Sequence, residues 1–255
     1  MEWKIADILE HFDFDVKKLY STANAYLKEI LPVQPGKRIT KWAILEQPDF
    51  GRLKDFYSEN GLEPLPNEQQ KSLMAVEQLK NAFNFIMQDA DCAECIFPLV
   101  KCIQLLRQPE PEFDVSYSHP KIPFTIFVSI GDSVGENEVI RLSESIIHEA
   151  MHLKLTLIEN LLPLVSDNTK VYYSPWREEN RPIKGVLHGA FVFRAIYDFY
   201  ESIISRSISE VQRDFISWRI QMIRKELESI RNFYNCSGLT SYGAGLGENL
   251  VNFNS

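Results

Sequence analysis

One stretch constrains this chain more than any other. From about Glu138 to Leu162 the pattern predicts a long helix, and His148-Glu149-Ala150-Met151-His152 sits in its middle. Ile146, Ile147, Ala150, Leu153 and Leu157 supply its buried surface, as an inward-facing site requires. An i, i+4 spacing puts both imidazoles on one face, about 6 Å apart along the axis, so that they can converge on one metal ion. His148 and His152 are therefore candidate metal ligands.

A third ligand is then needed. Glu159 shares a face with His152 but lies about two turns away, too far for direct ligation, which leaves it a supporting or packing role. A histidine six residues after the second is ruled out because Ile158 occupies that position. His188, in Gly185-Val-Leu-His-Gly-Ala190 at the start of a later helix, is the strongest remaining candidate, while His11 and His119 are left out of the site. Glu149 divides two chemistries. In a zinc peptidase it is the general base acting on metal-bound water, and elsewhere it orients a ligand or hydrogen-bonds a water.

The remaining organisation points to a mainly α, helical single domain over 1–255, with a small β element before the HExxH helix and the chemical motifs within 120–195. Apolar periodicity predicts helices over 5–31, a shorter interrupted one over 42–57, and a long one from Asn67 to about Arg107 that Pro98 should kink. A proline-rich loop over 109–123 leads to a strand at 124–130, the one segment rich in β-branched and aromatic residues. Residues 163–185 show no periodicity. Helices over about 186–206 and 209–234 follow, then a Gly-rich tail containing Gly243, Gly245 and Gly247, which follows a helix and so does not fit a dinucleotide loop. Cys92 and Cys95 have CxxC spacing but no second pair, and read as two buried thiols.

Composition excludes several classes. Of 255 residues, 45% are hydrophobic and 24% charged, an ordinary globular balance. A net charge of −8 argues against general nucleic-acid binding. No apolar run approaches the roughly 20 residues of a membrane span, and the acidic, amphipathic N-terminus is unlike a secretory or transit signal. Four cysteines are too few for a disulfide scaffold, so a cytoplasmic location is expected.

Taken together, Ile122-Pro-Phe-Thr-Ile-Phe-Val-Ser129, Ser143 through Glu159, Tyr172-Tyr-Ser-Pro-Trp-Arg177, Arg181-Pro182 and Gly185-Val-Leu-His-Gly189 resemble the HExxH-type peptide-modifying enzymes that accompany ribosomally made, post-translationally modified peptides. That family is described as iron- and 2-oxoglutarate-dependent peptide β-hydroxylases. The resemblance implies Fe(II) and 2-oxoglutarate as cofactors and a precursor peptide as substrate. A non-haem iron oxygenase needs facial protein ligands and open positions for cosubstrate and O₂, and a guanidinium fork suits the cosubstrate's distal carboxylate. Arg177 and Arg181 lie in the loop between the two histidine segments and are the candidates, Arg177 slightly preferred. The usual triad has two histidines and a carboxylate, so a set of three histidines departs from it and keeps a carboxylate ligand open. A zinc metallopeptidase using Glu149 as base is the alternative, and a peptide-binding helical module with a structural metal a third reading.

Overall fold

The computed structural model describes residues 37–253, apart from 42, 71, 111, 112, 121, 133, 134 and 207. The helix expected over 5–31 lies outside the described residues. The chain divides into two compact units, one over Glu2–Leu153 and the other over Lys154–Ser255, and the division falls within the HExxH helix.

The first unit corrects the expectation of a mainly helical domain. It is built on a five-stranded mixed sheet of β1 (Lys37–Arg38), β2 (Ile44–Leu45), β3 (Cys102–Arg107), β4 (Ser116–His119) and β5 (Ile122–Ile130), in the order β1-β2-β3-β5-β4. β2, β3 and β5 are parallel, and the two outer strands run antiparallel to their neighbours. Around them lie α1 (Lys54–Glu59), α2 (Asn67–Gln70), α3 (Leu73–Ile86), α4 (Ala90–Ile96) and α5 (Glu136–Leu161).

The long helix expected over 67–107 is thus three helices and a strand. Ser72 caps α3 through Ala75 N–H, and Asp89 caps α4 through the N–H groups of Asp91 and Cys92. Past Pro98 the chain becomes β3, whose Ile103, Leu105 and Leu106 are buried. A strand covered on both faces is apolar throughout, so its sequence carries no alternation to separate it from a buried helix. Cys92 and Cys95 are buried free thiols, as expected.

Part of the expected loop over 109–123 is β4, which pairs Tyr117 with Phe127 and Ser118 with Ile126. The register jumps after Ser118, and Phe124 takes a left-handed conformation (φ 62°) across the jump. On one side of the sheet Tyr57, Leu62, Leu106, Ile122 and Phe127 form a core cluster, with Phe56 and Tyr117 packed against it. α5 is tied to α3 where the Ser143 hydroxyl donates to Ala82 O (3.1 Å).

The second unit takes the end of α5, then a hairpin of β6 (Val171–Ser174) and β7 (Glu179–Pro182), α6 (Ile183–Ile203), α7 (Glu210–Ser229) and α8 (Ser241–Val251). α7 begins with a capping box, Ser209 and Gln212 each serving the other's backbone N–H. The Gly-rich tail is a helix. Thr240 caps it, and a Cβ on Gly243 would collide with the Leu164 carbonyl, so glycine is what lets this helix seat there. Its other end is held by the buried Arg194, whose Nη1 donates to Leu250 O (3.0 Å) and Asn252 O (2.7 Å).

Candidate functional site

In the first unit α5 delivers His148, Glu149 and His152 as three neighbouring groups with different surroundings. The Nε2 atoms of His148 and His152 face each other at 3.1 Å. First-row ions hold imidazole nitrogens at about 2.0–2.1 Å, so nitrogens at this separation are spaced as adjacent ligands of one ion. The helix alone would leave the two Cα atoms a full turn apart, and the rings, with centroids 4.8 Å apart, lean together to bring the nitrogens within that span. His148 keeps 26% of its side chain exposed, whereas Glu149 keeps 4%. The histidines can reach a ligand from solvent, and the carboxylate between them is enclosed.

Glu149 is engaged at both oxygens. Ser116 Oγ donates to Oε1 and Ser118 Oγ to Oε2, each at 2.6 Å, the short distances of hydrogen bonds to a charged acceptor. Both serines lie on β4, two residues apart and therefore on one face, while Tyr117 and His119 stack on each other and lie against Phe56. Burial, and then the charge of Glu149, push the Tyr117 phenol up. One more link fixes the strand along the helix: Arg141, two turns before Glu149, donates to Asp114 Oδ2 at 2.7 Å. Ser116 and Ser118 are the residues that sequence reasoning missed. Their only signal is the polar-aromatic alternation Ser-Tyr-Ser-His, hidden among prolines.

In the second unit His188 stands on α6, where its Nε2 lies 3.0 Å from Glu159 Oε2. Lys184, one turn earlier on α6, reaches the same oxygen at 2.8 Å. Burial alone would push the Glu159 carboxyl up, but the hydrogen bonds and charges of His188 and Lys184 outweigh it and hold the group below its ordinary value. Glu159 thus pairs with both His188 and Lys184.

Arg177 is exposed in the turn of the β6–β7 hairpin. Arg181 is on β7, its Nε 3.9 Å from Glu179. Trp176, in the same hairpin, stacks its ring on Phe193 (5.0 Å, 13°) and lies against α6 at Gly189, where a Cβ would fall on the indole. The Pro-Trp-Arg and His-Gly motifs are thus parts of one packing contact beside His188. Trp176 Nε1 is buried without a hydrogen-bond partner.

Among the described residues, no group of three or more histidine, cysteine, aspartate or glutamate side chains is gathered to hold an ion. The pair the structure brings together is His148 with His152. Among the same residues, no helix is long and apolar enough to cross a membrane. No family model and no curated protein matches the chain.

Proposed function

We propose that the chain is an Fe(II)- and 2-oxoglutarate-dependent hydroxylase that acts on a side-chain β-carbon of a ribosomally made precursor peptide. The two facing Nε2 atoms of His148 and His152 suit adjacent positions on one ion. Held there, iron with 2-oxoglutarate would supply the oxidant for hydroxylation of the carbon. The observation that carries the choice over a peptidase is the setting of Glu149. A hydrolytic base must take a proton from water, whereas this carboxylate is 4% exposed and accepts a short hydrogen bond at each oxygen. A hydroxylase draws its oxidant from O₂ and needs no such base.

The family resemblance adds His188 as a third ligand and Arg177 or Arg181 as partner of the cosubstrate's distal carboxylate. Metal content of His188→Ala and the 2-oxoglutarate requirement of the two Arg→Gln variants decide those assignments. The activity itself is tested by intact-mass analysis of a synthetic peptide panel incubated with the chain, Fe(II), 2-oxoglutarate and air. Addition of one oxygen atom to a peptide, dependent on 2-oxoglutarate, is the expected result. Cleavage with Zn(II) and without 2-oxoglutarate identifies a peptidase instead.

A further inference from the structure

We infer that the outer face of α7 is an interface between two copies of this chain, paired antiparallel about a two-fold axis. α7 is apolar on two sides. Ile216, Ile220, Ile223 and Leu227 form the buried side, where the helix packs on α6. Val211, Phe215, Trp218 and Met222 follow at i, i+4, i+7 and i+11, a second stripe about 140° round the helix from the first. Val211 and Trp218 are each 54% exposed and Met222 37%. The Phe215 and Trp218 rings meet edge to face at 5.7 Å. Single apolar residues on a surface need no explanation, but four in line on one helix form a patch of the kind that marks an association site.

The charges beside the stripe point to a second copy as its occupant. Asp214 and Lys225 flank it on the same side, about 16 Å apart along the helix axis. Both are exposed, and among the described residues neither has an ion pair within the chain. On the other side Arg219 lies over the Phe193 ring (5.5 Å) and Glu226 is half-buried, so the free charges stand on one flank. In an antiparallel two-fold pair, each flank of a helix runs beside the same flank of its partner in reverse order. Asp214 of one copy then meets the partner's Lys225, and symmetry makes the converse pair. The midpoint between the two charges falls beside Trp218, which sets the two indoles at the axis with Met222 next to them. Aromatic residues at the centre and charged pairs at the rim are the anatomy of a specific interface. The pairing needs no bound metal.

Sedimentation velocity of the full chain over about 1–100 μM tests this. The parent should sediment as a dimer at the upper end of that range. Trp218→Asp should weaken association by about tenfold or more, since it puts two charges at the axis. Asp214→Lys and Lys225→Asp should each weaken it by about tenfold, because each sets like charges together twice. The Asp214→Lys/Lys225→Asp double variant should regain the parent's association, and an equimolar mixture of the two single variants should form a mixed dimer. The three positions are exposed, so each variant should keep the parent's circular dichroism and urea midpoint. If Trp218→Asp does not fold, the charge reversals and their rescue carry the test alone. A monomeric parent at every concentration overturns the proposal. Should that monomer bind phosphatidylcholine vesicles and Trp218→Asp not, the face belongs to a membrane surface instead. A dimer that survives a folded Trp218→Asp, or a double variant as weak as the single ones, overturns it as well.

Discussion

His148 and His152 need only helix geometry to become neighbours, which is why they are legible in a bare sequence. Under the proposed metal reading, their replacement should abolish ion binding while sparing the fold. His148→Ala and His152→Ala are expected to lose bound Fe(II) by elemental analysis with a stability change within about 1 kcal/mol, because a partly exposed ring contributes little to a core. Glu149 is harder to read, since its role depends on what lies opposite. Gln at 149 can still meet Ser116 and Ser118, because a hydroxyl rotates to accept from an amide as easily as it donates to a carboxylate. Glu149→Gln should therefore keep its metal and retain reduced but measurable peptide oxidation. Complete loss of turnover with full metal content would instead assign Glu149 as an essential base. The serines escaped notice because a short polar edge strand has no apolar signature, and the pairing of Lys184 and His188 with Glu159 is a tertiary contact that spacing cannot show.

Elements were legible in proportion to their amphipathicity. The long helices α5, α6 and α7, each with a dry and a wet face, were expected close to where they stand. β3 was lost because a strand buried on both faces has no alternation, β4 because it is polar, and α8 because its glycines disfavour a helix that tertiary packing nonetheless imposes. The same packing explains Gly189. A methyl there would displace the Trp176 ring from α6 and from its stack on Phe193, so Gly189→Ala should destabilise the chain by about 1–3 kcal/mol in urea unfolding. Pairing it with Trp176→Leu should recover part of that loss.

Further along α6, Arg194 and Asp198 form a buried pair at 2.9 Å. Burial pushes the Asp198 carboxyl up to about 6, against the lowering effect of Arg194. The folded state then holds this proton more tightly than the unfolded chain. The contribution of Asp198 is complete below its unfolded value of 3.8 and is lost as pH rises through about 6. Between pH 4 and pH 7 the stability of the parent relative to Asp198→Asn should fall by up to about 3 kcal/mol. A constant or growing difference across that range, measured by urea unfolding, contradicts the assignment.

At the scale of the whole molecule, composition and charge bounded the class without revealing the architecture. Where the pattern predicts a mainly helical body with a small β element, the chain carries a five-stranded mixed sheet in one compact unit and helices with a hairpin in the other, the boundary between the units falling inside the helix that carries the motif. Such a division is invisible to periodicity because α5 is continuous across it. The proposed iron site on this helix, to which 2-oxoglutarate would bind directly, can be tested without knowing the peptide. Fe(II) added anaerobically to the chain, followed by 2-oxoglutarate, should give a visible charge-transfer band that saturates with the keto acid and is absent in His148→Ala and His152→Ala. No band at saturating 2-oxoglutarate, with Fe(II) bound at full occupancy, would contradict the hydroxylase reading.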